Sequence, residues 1–278
     1  MNGLTAVRRR RALVFDSGLG GLTVFSRIAE RRPDLELVYA ADDAFFPYGA
    51  MGEAALIERV RAVVDDLAAR FAPDVVVIAC NTASTLVLPP LRAAHPRLPF
   101  VGTVPAIKPA ALASKTGLIS VLATPGTVAR DYTHALVRDF AAGCDVTLVG
   151  APQLATLAER FLRGETVADA EVEREIAACF VEKVGRRTDQ VVLACTHFPL
   201  LIEYFERLAP WPVAFVDPAP AIARRVDALA GQGGPIGPAE RPFPAVFTSG
   251  RPPSEPLQRA LRRLGLVFTS ASERAAAD

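Results

Sequence analysis

Short apolar, β-branched runs alternate along this chain with longer stretches whose apolar residues recur every three or four positions. The runs ALVF (12–15), LELVYA (35–40), VVVIA (75–79), FVGTV (100–104), LISVLA (118–123), VTLVG (146–150), VVLA (191–194), VAFVD (213–217), AVFTS (245–249) and LVFT (266–269) predict strands. EAALIERVRAVVDDLAARF (53–71) and DAEVEREIAACFVEKVGRR (169–187) have the helical period. Alternation of this kind builds βα units. Strands apolar at nearly every position are those of mostly parallel sheets, covered on both faces.

The pattern occurs twice. ALVFDSGLGGLTV (12–24) runs from strand through a small polar turn into a helix, and ISVLATPGTVARDY (119–132) does the same. Each half later reaches an aliphatic strand that ends in Ala-Cys, at VVVIACNTAS and VVLACTHFPL. The expected fold is therefore α/β: two similar doubly wound, mostly parallel-sheet domains related by a pseudo-twofold, with the active site in the cleft between them. The expected division is 1–100 plus 211–278 for the first domain and 101–210 for the second. The Pro-rich segments 95–109 and 208–212 are the crossings, and GQGGPIGPAERPFP (231–244) is a loop.

Composition narrows the partners. With 278 residues and 51% hydrophobic positions, the chain can bury a sizeable core. A formal net charge of +1 offers no electrostatic footprint for nucleic acid or a membrane surface. The one basic cluster, Arg8 to Arg11, reads as a solvated flank before the first strand. The apolar run after it stops at Asp16, too short for a secretory signal, and no run approaches a membrane span. These features predict a cytoplasmic protein with reduced thiols. The four cysteines form no CxxC pair, and nothing at ligand spacing joins Cys195 and His197, so no metal site is expected.

In parallel sheets ligands bind beyond the carboxyl ends of the strands. The groups there are Asp16-Ser17-Gly18, Asp42-Asp43, Cys80-Asn81-Thr82, Thr124-Pro125-Gly126-Thr127, Cys195-Thr196-His197 and Asp217, a set that suits a small polar ligand. DSGLGG (16–21) fails as a dinucleotide or phosphate loop, having Thr23 where a glycine is required and no Gly-Lys-Ser/Thr. It reads instead as a tight turn that exposes backbone N–H groups. A lone Cys after an apolar strand is usually a small core residue, but two at matched strand ends are not explained that way. Asn81-Thr82 and Thr196-His197 follow them, and each is expected to lead into a helix whose N-terminus favours a thiolate. Cys179 lies in a helical pattern and reads as core; His95 and His134 read as structural or exposed; Tyr48 in FFPYG (45–49) marks a turn.

Two thiols facing one α-carbon from opposite sides would invert it. A thiolate removes the proton from one face, and a thiol returns one to the other. A free Cys ionises near a pKa of about 8.5, so either role is within reach of neutrality. Without a cofactor, hydroxyls and amides such as those of Ser17, Asn81, Thr82, Thr124, Thr127 and Thr196 must stabilise the carbanion, with Asp16 and His197 orienting the thiols or binding the ammonium. Competing readings are a Cys195–His197 hydrolase and a two-domain binding protein without turnover. Residues i and i+2 point apart if the strand continues, which disfavours the hydrolase.

FDSGLGGLTV, the PYG after the second strand, ACNTAS and ACTHFPLL, in that order, resemble the glutamate racemase family of the aspartate/glutamate racemases. The resemblance runs from about residue 12 to Asp217. It implies a cofactor-independent isomerase making D-glutamate for peptidoglycan, with Cys80 and Cys195 as the acid/base pair. It further implies Asp16, Ser17, Tyr48, Gly49, Asn81, Thr82, Thr124, Thr127, Thr196 and His197 at the substrate, Glu159 in APQLATLAERF as a helper, and a homodimer. Racemases of aspartate or hydantoins share the paired-Cys logic. The chain departs from the family's Val-Glu-Pro after the fourth strand, where it has VGTVPAIKPA, and from the commoner CTHYP, where it has CTHFP.

Overall fold

All ten apolar runs form strands in the computed structural model, which describes residues 8–231 and 237–270. In chain order the elements are β1 (Arg11–Asp16), α1 (Leu22–Arg31), β2 (Glu36–Ala41), α2 (Glu53–Phe71), β3 (Val75–Ile78), α3 (Asn81–Ala94), β4 (Phe100–Gly102) and α4 (Ile107–Ala113). Then follow β5 (Leu118–Ala123), α5 (Pro125–Val128), α6 (Asp131–Phe140), β6 (Asp145–Gly150), α7 (Leu154–Leu162), α8 (Asp169–Ile176), β7 (Glu182–Lys183), β8 (Arg186–Arg187) and β9 (Gln190–Ala194). The chain ends through α9 (Ile202–Leu208), β10 (Ala214–Val216), α10 (Ala219–Ala230), β11 (Phe243–Phe247), α11 (Glu255–Arg263) and β12 (Leu266–Ser270).

Two parallel sheets carry the fold, in the orders β12-β11-β2-β1-β3-β4 and β10-β9-β5-β6. Their shared part has one topology: β2-β1-β3-β4 corresponds to β6-β5-β9-β10, strand for strand in chain order. Cys80 follows β3 and Cys195 follows β9, so the repeated Ala-Cys pattern is a repeated strand position. Successive residues of the central strands face opposite cores, as the period of two requires: Ala12 and Val14 pack with α1 and α10, Leu13 and Phe15 with α2 and α3. On α2, Leu56, Val60, Val63, Val64, Leu67 and Phe71 form one buried stripe. Each such side chain contributes roughly 1.5–3 kcal/mol relative to exposure.

Four expectations change. Strand β4 pairs with β3 and β10 pairs with β9, so a division at 100/101 cuts β4, and one at 210/211 assigns β10 to the wrong sheet. The helical stretch 169–187 stops at Ile176, turns through Ala177–Cys179 and closes as the hairpin β7–β8. Val184 and Gly185 both have positive φ there, as a two-residue type I′ turn needs; the apolar period carries no record of that turn. Cys179 is nevertheless fully buried. In the 231–244 segment, residues 232–236 lie outside the described residues, and Phe243 and Pro244 already belong to β11. Pro244 is tolerated because β2 pairs only from Ala245 onward. Finally, the arginine run is not simply solvated: Arg8 and Arg10 pair with Asp74, and Arg11 opens β1 and pairs with Glu36. His95 likewise has a partner, Asp65, at 2.6 Å.

Candidate active site

The carboxyl ends of both sheets meet along one seam. From the first half come Asp16 and Ser17 after β1, Tyr48 and Gly49 in the turn after β2, and Cys80, Asn81 and Thr82 at β3–α3. From the second come Thr124 and Thr127 at β5–α5, Glu159 on α7, and Cys195, Thr196 and His197 after β9. All of these are buried except Thr124, which is partly buried, and Gly49, which is exposed at the rim.

Each thiol has its own polar neighbours. Cys80 caps α3, and its Sγ lies 3.6 Å from Ser17 Oγ. Burial and then the charge of Asp16 push this thiol up, outweighing the Ala83 N–H and Ser17 hydroxyl, so the helix N-terminus alone does not favour the thiolate. Asp16 is fully buried; its Oδ2 accepts from the Gly21 N–H at 2.9 Å and from the Gly18 N–H at 3.3 Å. Burial raises its carboxyl above the usual range despite the His197 charge and the Gly21 and Ser17 N–H groups.

Around Cys195 the arrangement is a relay. Cys195 Sγ lies 3.8 Å from His197 Nδ1, and His197 Nε2 lies 3.0 Å from Glu159 Oε1. Strand β9 ends at Ala194, so residues 195 and 197 lie in a turn and converge, contrary to the expectation for a continuing strand. The expected helix start after Cys195 is a short 3₁₀ turn, Phe198–Leu201, ahead of α9. Burial opposes the imidazolium, but the bonds to Cys195 and Glu159 and the charge of Asp16 outweigh it and hold His197 well above the usual histidine range. Burial also opposes the Glu159 carboxylate, but the His197 bond and charge, the Leu19 N–H and Arg163 hold it below its usual value.

Glu159 also joins the halves: its Oε1 accepts from the Leu19 N–H at 2.6 Å. This close approach explains the glycines of DSGLGG. A Cβ on Gly18 would stand 2.4 Å from Glu159 Oε1, and one on Gly20 would stand 2.4 Å from His197 Nδ1. In the sequence these glycines spell a turn; their larger role is to admit the other half's relay. Across the seam the hydroxyls of Thr82, Thr124 and Thr127 form a triangle with sides of 3.1, 3.3 and 3.0 Å. Gly49 packs beside Thr124 and Gly126. Thr23 donates to the Thr196 carbonyl at 3.2 Å.

Three buried polar atoms in this seam have no protein partner: Asp16 Oδ1, Asn81 Oδ1 and Asn81 Nδ2. Such atoms are costly unless a ligand completes them, and they offer both donor and acceptor to a zwitterion. Tyr48 is turned elsewhere: its hydroxyl donates to Asp42 Oδ2 at 2.5 Å. Asp42 stands among the strand-end groups of the sequence but not among its expected substrate or catalytic residues, and Arg59 and Phe46, whose ring centroid lies 5.4 Å from that of His197, are in neither set. Only the position of Asp42 just past β2 carried a signal. Among the described residues no group of three or more His, Cys, Asp or Glu could hold a metal ion, and no helix is long and apolar enough to cross a membrane.

Known proteins resemble this chain in sequence and in fold. A family described as Asp/Glu/Hydantoin racemase matches residues 22–226. A glutamate racemase of Sinorhizobium fredii is 52% identical over 268 residues, which is 96% of this chain and 100% of that protein. One from Brucella anthropi is 58% identical over 225 residues, 81% of each. The crystal structure of Escherichia coli glutamate racemase, in complex with L-glutamate and the activator UDP-MurNAc-Ala, superposes with a TM-score of 0.86 at 40% identity, covering 95% of this chain and 98% of that one.

Proposed function

From a chain that belongs to the Asp/Glu/Hydantoin racemase family, and so is an amino-acid racemase, we propose a cofactor-independent interconversion of L- and D-glutamate by proton transfer between Cys80 and Cys195. The observation that carries this reading is the equivalent placement of the two thiols after β3 and β9, in one buried seam beside unpaired Asp16 and Asn81 atoms. The thiolate of one Cys takes the α-proton. The electron pair stays on the substrate as a carbanion held by the Ser17, Asn81, Thr82 and Thr196 groups. The other thiol gives its proton to the opposite face. The thiols finish with exchanged roles, and the reverse reaction restores them.

The two sides are chemically unlike, which suits a reaction whose two proton transfers differ in hand. On the Cys195 side, His197 holds a proton beside Sγ, and Glu159 anchors the imidazole's other nitrogen. On the Cys80 side, Ser17 and Asp16 are the neighbours, and the unpartnered Asp16 Oδ1 supports a role as acceptor for the substrate ammonium. A hydrolase built on Cys195 and His197 gains from their convergence, yet it leaves Cys80 and its matched position without a task. On the racemase reading the enzyme works in the cytoplasm, supplies D-glutamate for peptidoglycan and acts as a homodimer, the last checked by light scattering of the purified protein.

The test is α-proton exchange and loss of optical rotation with L-glutamate in D2O, with L-aspartate in parallel, on purified, reduced, cofactor-free protein. Wild type is expected to racemise glutamate and to leave aspartate unchanged. Cys80→Ser and Cys195→Ser are each expected to lose racemisation by at least about a thousandfold, as for a group acting directly on the reacting atom. Full racemisation by either variant would refute the two-thiol mechanism, and loss in Cys195→Ser alone would favour the hydrolase.

A further inference from the structure

Asp42 is fully buried just past β2, and four hydrogen bonds from three side chains converge on its carboxylate. Arg59 of α2 donates from Nη2 to Oδ1 at 2.6 Å and from Nε to Oδ2 at 2.9 Å. Thr248, one residue past β11, donates to Oδ1 at 2.5 Å, and the Tyr48 hydroxyl donates to Oδ2 at 2.5 Å. The Asp42 backbone N–H also bonds the Asp16 carbonyl at 2.8 Å, so the group is braced against β1. A two-pronged guanidinium contact keeps the carboxylate ionised and acceptor-only, so Tyr48 must be the donor in its bond to it. The phenol's one proton is thereby committed away from the seam, and its oxygen keeps only acceptor capacity.

Tyr48 and Cys80 belong to one buried cluster, on the side of the first sheet that packs against α2 and α3. The next residue, Gly49, packs on the Thr124–Thr127 turn of the other half. We infer that Asp42 is a positioning residue for the racemisation, holding the Tyr48 phenol as a fixed acceptor within the buried cluster it shares with Cys80 and setting the Tyr48–Gly49 turn against the opposite half. This rests on the two-thiol reading. It adds a residue that itself reaches neither thiol and acts only through Tyr48.

A double-mutant cycle tests it, with kcat and KM measured for Asp42→Asn, Tyr48→Phe and the pair. Each single variant is expected to lose about tenfold or more, mainly in kcat, and the pair to fall within about twofold of the weaker single, because both remove one coupled unit. Thr248→Val removes a bond to the same carboxylate without touching Tyr48. It is expected to lower the melting temperature while holding kcat within about threefold, in line with a stabilising hydrogen bond away from the chemistry. Losses that multiply in the pair, an Asp42→Asn enzyme within twofold of wild type, or an equal loss of kcat in Thr248→Val would each overturn the assignment. If Asp42→Asn does not fold, Asp42→Glu replaces it. That variant keeps the charge but displaces the carboxylate; wild-type kcat in it would overturn the proposal, and a loss not compounded by Tyr48→Phe would support it. A wild-type enzyme that fails to exchange the α-proton of glutamate sinks the underlying reading itself. An active wild type with a multiplicative cycle sinks only the role of Asp42.

Discussion

Glu159 answers to three partners at once: a backbone N–H from the other half, an imidazole, and the Arg163 guanidinium at 3.0 Å. Its carboxylate is held low and His197 is held high, and each shift is a statement about stability. A lowered carboxyl stabilises the fold above its unfolded value of 4.5, and that contribution disappears as pH falls through the folded value. A raised histidine stabilises fully below its unfolded value of 6.5, and that contribution disappears as pH rises through the folded value. The pair therefore stabilises most between those limits. Glu159→Gln keeps an oxygen for the Leu19 N–H but removes the carboxylate bond that, after the bond to Cys195, does most to raise His197. The limb of the kcat/KM profile governed by His197 is expected to move to lower pH, and unfolding in urea at pH 7 to lose about 3–5 kcal/mol, the usual result of breaking a buried pair. An unmoved limb would separate His197 from the chemistry. The sequence made Cys80, Cys195 and His197 legible because matched spelling at strand ends is a local signal. The strand end at Ala194 is legible, but the convergence of Cys195 with His197 is not, because it depends on a tight turn where the sequence predicts a helix start. Asp42 is legible only as a strand-end group, because its partners, Tyr48, Arg59 and Thr248, are brought together by the tertiary fold alone.

At the scale of elements, apolar runs located every large-sheet strand, and α2 occupies the 53–71 stretch that its period marks out. The pattern failed where a turn outranked it. The hairpin β7–β8 places Val184, 97% exposed, at φ 50°, a conformation that β-branched residues avoid. Asn tolerates that region, and Asn-Gly is the favoured pair for this turn. Val184→Asn should raise stability by about 1 kcal/mol, from a left-handed penalty of roughly 1–2 kcal/mol per residue. Thermal unfolding checks it, with kcat expected to stay at the wild-type value because the hairpin lies away from both thiols. A lower melting temperature would mean that the turn is not limited by backbone strain.

For the whole molecule, burial of both thiols and nearly all their neighbours leads to the expectation that the halves part to admit substrate. The contacts that would break in that event are the Leu19 N–H bond to Glu159, the two Thr82 contacts with Thr124 and Thr127, and an ion pair between Arg130 and Glu53. The Leu19 amide reports that event from the backbone. Its hydrogen exchange is expected to slow as glutamate saturates the protein, while the amide of Leu13 in the core of β1 keeps its rate. Equal response of the two amides would argue against a parting of the halves.

Because β10 completes the second sheet before β11 and β12 join the first, the second sheet is inserted within the sequence of the first. Synthesis runs in one direction, and domains tend to fold as they emerge. A nascent chain therefore displays both cysteines well before Thr248 and Ser249 arrive to meet Asp42 and Asp43. The last stretch translated thus acts as a certificate of completeness: a prematurely terminated copy would carry both thiols but lack the strands that brace the turn beside them.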